Sequence, residues 1–196
     1  MPCRGCWPCW MPGTCPVTAE SQGGRLFFAL WPDGVLRRQL EIQVRRLPRR
    51  LGRPVPLENL HITLLFLGQV PATRLGCVLA APEEVAAASF ELTLDYVGHW
   101  PRPRVLWVGP RHTPPALFRL VGALRRALAP CGLDLDRRPY QAHMTVLRKV
   151  ARAPERQVEI EPVTWQVSSY SLMESIPGEG GVAYRELRRW PLTGDG

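Results

Sequence analysis

The chain has 196 residues, 45% of them hydrophobic and 21% charged, which fits one soluble globular domain or one domain of two small lobes. No run of residues is apolar enough to span a membrane, and prolines and glycines interrupt the N-terminus before a secretory signal develops, so we expect a cytoplasmic protein. The net charge of +8 comes almost entirely from arginine, which binds phosphate through paired hydrogen bonds and favours a polyanionic partner, although GC-rich genomes also produce arginine-rich, lysine-poor chains.

Residues 1–24 are rich in proline, glycine and tryptophan and are predicted to form a disordered extension. This segment carries a cluster of four cysteines: Cys3, Cys6, Cys9 and Cys15. Their spacing resembles part of a zinc or iron–sulfur site, but Gly13 stands where the next ligand is needed and no Cys-His group follows. We therefore expect no metal site, and the alternative that these cysteines bind a metal stays open. Cys77 and Cys131 stand alone in the sequence.

Seven strands and three helices are predicted after the extension. The strands are apolar, aromatic or β-branched runs at 25–31, 60–67, 90–97, 104–108, 142–148, 164–173 and 182–187. The helices are predicted at 34–47 after a candidate N-cap at Asp33, at 72–88 with a break or kink at Pro82, and at 115–128 with an apolar stripe. The strands at 90–97 and 104–108 are expected to pair as a hairpin.

Two of these strands repeat one motif, His61-x-Thr63 and His143-x-Thr145, 82 residues apart. Side chains alternate along a strand, so each histidine and its threonine should face the same way, about 7 Å apart, while the residues between them enter the core. A lone strand histidine is more often a hydrogen-bonded core residue, but the duplication favours two imidazoles that act on one substrate. The other histidines, His99 and His112, are placed in loops.

The order of elements predicts an α+β fold of two pseudo-symmetric lobes. Each lobe should hold a mostly antiparallel sheet with outer helices and should supply one His-x-Thr strand to a central cleft. The folded domain is predicted to span 25–192, followed by a short tail at 193–196.

The ordered series of motifs resembles the two-histidine phosphoesterases, and among them the bacterial RNA 2′,3′-cyclic phosphodiesterases, formerly called 2′-5′ RNA ligases. The resemblance rests on 25–32, 58–64 with 66–68, 138–140 ahead of 143–146, 173–175, Tyr184 and 190–192. It departs from the family pattern at Ala142, where a proline is frequent, and residues 1–24 have no counterpart.

The resemblance implies a hydrolase that opens the 2′,3′-cyclic phosphate of an RNA end and leaves a 2′-phosphate, with His61 as proton donor and His143 as proton acceptor. The residues agree with this chemistry, because two imidazoles can share acid and base roles at neutral pH. The pseudo-symmetry leaves the order of the two roles open. Thr63 and Thr145 are expected to bind the non-bridging oxygens. Arg148 is a further candidate for phosphate binding, although strict alternation places it on the face opposite His143.

The expected partner is RNA with 2′,3′-cyclic phosphate ends, with tRNA halves and cyclic nucleotides as candidates. We expect no cofactor, no metal at the histidines, no membrane and no obligate protein partner. The same site would also catalyse the reverse 2′-5′ ligation at low yield, whereas an ATP-driven ligase is disfavoured because no P-loop is present. The alternative from another class is a module that binds RNA ends without cutting them.

Overall fold

The computed structural model describes residues 23–47, 51–136, 138–154, 158–178 and 181–193. The N-terminal cysteine cluster and most of the predicted extension and tail therefore lie outside the described residues. Gly23 and Gly24 belong to the fold, because the amide of Val70 donates to the carbonyl of Gly24 over 2.9 Å and Gln69 bonds the carbonyl of Gly23.

Within the described residues there are ten strands and three α-helices. The strands are β1 Arg25–Leu30, β2 Arg53–Pro54, β3 Ile62–Gln69, β4 Phe90–Leu94, β5 Tyr96–Trp100, β6 Val105–Gly109, β7 Met144–Arg148, β8 Val163–Val167, β9 Ser169–Gly178 and β10 Gly181–Pro191. The helices are α1 Gly34–Arg46, α2 Ala72–Ala80 and α3 Pro115–Leu128. The predicted α+β class is confirmed.

The strands form two four-stranded sheets, ordered β10-β9-β1-β3 and β2-β7-β6-β5, and a two-stranded sheet of β4 and β8. All of these strand pairs are antiparallel. The first sheet carries β3, which follows His61, and the second carries β7, which follows His143. The lobes are not successive halves of the chain, because the C-terminal hairpin of β9 and β10 completes the N-terminal sheet.

The helices follow their sequence signals closely. The carboxylate of Asp33 accepts a hydrogen bond from the amide of Leu36 over 2.8 Å and so caps α1, as predicted. The predicted apolar stripe of α3 is completely or almost completely buried, at Leu117, Leu120, Val121, Leu124 and Leu128. Gly132 ends this region in a left-handed conformation with φ of 65°. Side chains from both large sheets and all three helices form one hydrophobic cluster.

Two predicted strands have wrong boundaries, because each of these apolar runs contributes to two different sheets. The run at 90–97 divides at Asp95, since β4 pairs with β8 and β5 pairs with β6. The run at 164–173 divides in the same way at Ser168 into β8 and β9. His99 lies within β5 opposite Leu106 and not in a turn. The break predicted at Pro82 in the helical segment 72–88 is confirmed, because α2 ends at Ala80 and Pro82 lies in the 3₁₀ turn Ala81–Glu84 that follows.

Cys77 and Cys131 form a disulfide, with their Cα atoms 5.7 Å apart, so the reading of both as isolated cysteines is wrong. They are 54 residues apart in sequence, and only the packing of α2 beside the turn that follows α3 brings them together. None of the helices in the described part of the chain combines the length and the hydropathy needed to cross a membrane.

Candidate active site

Both His-x-Thr motifs line one cleft of about 320 Å³, which we call the histidine cleft and define by His61, Thr63, His143 and Thr145. Each histidine immediately precedes its strand, and the threonine is the second strand residue. The residues between and after them are buried in the core as predicted, with Ile62, Leu64, Met144 and Val146 at most 1% exposed. The two sheets thus bring one motif each to a shared cleft.

The two imidazole rings are held by the same backbone hydrogen bond. Nδ1 of His61 lies 2.7 Å from the carbonyl oxygen of Asn59, and Nδ1 of His143 lies 2.9 Å from that of Gln141. A carbonyl oxygen only accepts hydrogen bonds, so each Nδ1 carries a proton and donates it. This leaves Nε2 of each ring as the nitrogen that can gain or lose a proton.

Aromatic rings pack around both histidines. Trp31 stacks on His61 with a centroid separation of 5.1 Å and an interplanar angle of 9°. Phe27 and Tyr184 contact the same imidazole at 5.1 and 5.0 Å. His143 has Trp100 at 4.4 Å and Trp107 at 6.2 Å, both approached edge to face. These rings fix both imidazoles and reduce their hydration.

Reduced hydration lowers the pKa of both imidazoles. Burial lowers the pKa of His61 from 6.5 to about 4, although the hydrogen bond to Asn59 opposes the shift. The positive charges of Arg148 and His143 lower the pKa of His61 further. Burial also lowers the pKa of His143, again against a backbone hydrogen bond, to Gln141. Both rings are therefore mainly neutral at pH 7, and a bound anion is needed to favour the protonated form of either one.

Arg148 lines the histidine cleft, against the expectation from strict alternation. In the pairing of β6 with β7, Leu106 lies opposite Leu147 and Trp107 opposite Thr145, so Val146 has no partner. This bulge places two successive residues, Val146 and Leu147, in the core and turns Arg148 to the side of Thr145. The bulge is the physical reason that the alternation rule failed.

The first motif strand has a bulge at the equivalent position. In the pairing of β1 with β3, Ala29 lies opposite Thr63 and Phe28 opposite Leu65, which leaves Leu64 without a partner. Phe66 is thereby turned into the histidine cleft, five residues after His61, as Arg148 lies five residues after His143. The guanidinium of Arg25 lies 4.9 Å from the centroid of the Phe66 ring.

The C-terminal hairpin of β9 and β10 supplies cleft residues that lie outside the two His-x-Thr motifs. Ser175 of β9 and Tyr184 of β10 face each other in the strand register, and both line the histidine cleft. The side-chain amide of Asn59 donates to the carbonyl of Val182 over 2.9 Å, which ties the hairpin to the segment before His61. In the sequence, the resemblance to the two-histidine phosphoesterases at 173–175 and Tyr184 indicated this hairpin but assigned no role to its side chains.

The described residues contain no group of three histidine, cysteine, aspartate or glutamate side chains placed to hold a metal ion. The histidine cleft itself is lined by two imidazoles, by the hydroxyls of Thr63, Thr145, Ser175 and Tyr184, and by the guanidiniums of Arg25 and Arg148.

Comparison with known proteins identifies the family. The model of the 2′-5′ RNA ligase superfamily matches residues 32–178. The chain is 35% identical over 178 residues to an RNA 2′,3′-cyclic phosphodiesterase of Escherichia coli (strain K12), covering 88% of this chain and 99% of that protein. It is 32% identical over 174 residues to a protein of the same name from Archaeoglobus fulgidus, covering 84% and 98%.

The fold agrees with these similarities. The crystal structure of E. coli LigT in its apo form matches with a TM-score of 0.78 and 35% identity, covering 88% of this chain and 99% of that one. The chain therefore belongs to the 2′-5′ RNA ligase superfamily, as its paired motifs predicted.

Proposed function

We propose that this protein hydrolyses the 2′,3′-cyclic phosphate at an RNA end to a 2′-phosphomonoester, by metal-independent acid–base catalysis at His61 and His143. The observation that carries the proposal is the matched pair of imidazoles in one cleft, each with Nδ1 bonded to a backbone carbonyl and Nε2 left for proton transfer. The relatives from E. coli and Archaeoglobus fulgidus are RNA 2′,3′-cyclic phosphodiesterases, which supports the choice of reaction.

The reaction needs a proton acceptor and a proton donor on opposite sides of phosphorus. A neutral Nε2 takes a proton from the attacking water, whose oxygen forms the new bond to phosphorus. The bond from phosphorus to the 3′ oxygen breaks, and the protonated Nε2–H of the other imidazole supplies the proton for this oxygen. The products are a 2′-phosphate and a free 3′ hydroxyl, and the two imidazoles have exchanged protonation states.

The family resemblance assigns proton donation to His61 and proton acceptance to His143. Burial lowers the pKa of both rings in the free protein, so the ring that donates has to be protonated in the complex with substrate. The bound phosphate anion favours the charged ring and so supplies the condition for protonation.

Thr63, Thr145 and Arg148 would stabilise the phosphate. The two hydroxyls can donate to non-bridging oxygens, where negative charge increases in the transition state. Arg148 adds a positive charge on the same side as Thr145 because of the bulge at Val146. The two threonines occupy equivalent positions in β3 and β7, so we expect them to make equivalent contacts.

The deciding experiment uses a short synthetic RNA that ends in a 2′,3′-cyclic phosphate. We expect quantitative conversion to the 2′-phosphate, resolved from the 3′-phosphate by chromatography against both standards. Tight binding without turnover would contradict hydrolysis and would support the alternative, a module that binds RNA ends.

The reverse reaction follows from the same geometry. A 5′ hydroxyl of a second RNA that takes the place of water would attack the cyclic phosphate and give a 2′-5′ linkage. We expect this ligation at low yield in concentrated RNA without ATP, scored by a product that resists a nuclease specific for 3′-5′ linkages.

A further inference from the structure

A second depression of about 580 Å³ adjoins the histidine cleft. It shares Thr63, Phe66 and His143 with that cleft and extends past the turn between β5 and β6 towards α3. We call it the basic groove and define it by Trp100, Arg102, Arg125, Arg138 and Tyr140. Its volume lies in the range of sites that hold small ligands, and the proposed chemistry uses none of the five residues that define it.

The charge of the basic groove is unbalanced in favour of an anion. Three arginines and one carboxylate, Asp136, line it. Asp136 forms an ion pair with Arg138, with Nε of Arg138 2.9 Å from Oδ2. Among the described residues, no carboxylate lies within ion-pair distance of Arg102 or Arg125. Arg125 donates one hydrogen bond, to the carbonyl of Arg138 over 3.3 Å, and its charge also acts on Asp136. Neither Arg102 nor Arg125 is held in an ion pair within the described part of the chain, so both guanidiniums keep N–H donors for an anionic ligand.

The groove also presents aromatic surface and polar atoms that the fold leaves unpaired. Trp100 lines the groove and contacts His143, and the ring of Tyr140 contacts that of Phe118 edge to face at 6.2 Å. Of the described residues, none hydrogen-bonds the buried hydroxyl of Tyr140 or the buried Nε of Arg125. Burial raises the pKa of Tyr140, so its hydroxyl keeps its proton at neutral pH.

We propose that the basic groove binds the nucleotide next to the cyclic-phosphate end, with Arg102 and Arg125 on its phosphodiester and Trp100 and Tyr140 beside its base. This inference rests on the proposed function, which places the terminal cyclic phosphate between His61 and His143. The groove opens from that point, so a strand whose last phosphate is in the histidine cleft can continue into it. Alternating basic and aromatic side chains are how proteins hold single-stranded nucleic acid.

The test compares two substrates, a 2′,3′-cyclic mononucleotide and an RNA pentanucleotide with the same cyclic-phosphate end. Only the longer substrate reaches the basic groove. The variant is Arg102→Gln with Arg125→Gln, and the matched control is Arg119→Gln with Arg126→Gln. The control residues are exposed arginines of α3 outside the groove, so both double variants lose the same net charge.

The ratio of kcat/KM for the pentanucleotide to that for the mononucleotide should fall about 10- to 100-fold in the groove variant and less than about threefold in the control. The salt dependence of pentanucleotide binding should also weaken, by a slope of roughly 0.7 for each arginine that contacts a phosphate. The single variant Arg102→Gln, on an exposed turn, should show part of the effect and guards against misfolding of the double variant.

Equal losses in the groove and control variants would overturn the proposal, because they would indicate only general attraction to a basic surface. A loss as large for the mononucleotide as for the pentanucleotide would overturn it too. If the wild-type protein hydrolyses neither substrate, the proposed function fails, and the groove is then judged by binding of a fluorescent pentanucleotide that ends in a 3′-phosphate. A Kd weakened about tenfold or more in the groove variant alone supports the groove, and equal Kd values overturn it.

Discussion

The two motif strands share one backbone design and differ in what surrounds it. In each, the histidine immediately precedes the strand and its Nδ1 donates to the carbonyl of the residue two positions earlier. A bulge then lies three residues after the histidine. The position that each bulge turns into the histidine cleft is an aromatic ring in one strand, Phe66, and a positive charge in the other, Arg148. The repeat supplies matched geometry for two imidazoles.

The side chains packed around His61 differ from those packed around His143. His61 is enclosed by Trp31, Phe27 and Tyr184, and burial lowers its pKa to about 4. His143 packs against tryptophans and borders the basic groove. A donor and an acceptor in one site need surroundings that separate their acid strengths. The duplicated strand therefore provides matched positions for the two rings, and only the neighbours outside the repeat differ between them.

The largest expected effect tests whether both copies of the motif act. His61→Ala and His143→Ala should each lower kcat by roughly 10²–10⁴, the usual contribution of a positioned acid or base. His112→Ala is the matched control, because His112 is exposed and outside the histidine cleft. Turnover of the cyclic-phosphate RNA is the measurement, with thermal unfolding to confirm the fold. Near-normal turnover in either variant would show that only one of the two motif strands takes part in catalysis.

The threonines test the equivalence of the two strands more finely. Thr63→Val and Thr145→Val should each lower kcat/KM by roughly 10–10³, because each removes a donor to a phosphate oxygen in the transition state. Thr164→Val is the control, since Thr164 is an exposed strand threonine of β8 away from the histidine cleft. A large loss for one threonine and none for the other would show that the phosphate contacts only one strand.

The motif strands and their inward and outward faces were predictable because period-two alternation fixes them over short distances. His61, Thr63, His143 and Thr145 all line one cleft. Arg148 was placed on the wrong face because a bulge changes the alternation. Its sequence signal was present in both strands as two successive apolar residues after the threonine, Leu64-Leu65 and Val146-Leu147, which strict alternation does not allow.

Other features depend on distant packing and had no local signal. Asp95 and Ser168 mark points where a continuous apolar run changes sheets, and only the partner strands determine where the run divides. The disulfide of Cys77 and Cys131 depends on the approach of α2 to the end of α3. The ring of Trp31 was predicted as part of a buried strand, and its contact with His61 requires β1 and β3 to be neighbours.

Arg148, the residue that the bulge of β7 turns into the histidine cleft, distinguishes the two strands chemically. Arg148→Gln should lower kcat/KM about 10- to 100-fold, because a charged contact to the phosphate is lost. The pKa of His61 should rise, since the positive charge of Arg148 contributes to lowering it. Arg53→Gln is the control, because Arg53 pairs with Arg148 in the sheet but is exposed outside the histidine cleft. NMR titration of the imidazole signals in both variants measures the shift. An unchanged pKa of His61 would contradict coupling between the strands.

The pH dependence of kcat/KM tests the effect of burial on the two imidazoles without any substitution. Catalysis requires one proton on the pair of imidazoles, so kcat/KM should be bell-shaped, with limbs that belong to the pair and not to either ring alone. Ordinary imidazoles would place the optimum at about pH 6–7.5. Because burial lowers both pKa values in the free protein, to about 4 for His61, the acidic limb should lie near pH 4 and the alkaline limb below pH 6.5.

The optimum of kcat should lie higher, because bound phosphate favours the protonated rings. Rates from pH 3.5 to about pH 8.5 at constant ionic strength provide both profiles. A kcat/KM optimum above pH 7 would contradict this, because it would show that burial among the aromatic rings does not lower the pKa of the two imidazoles.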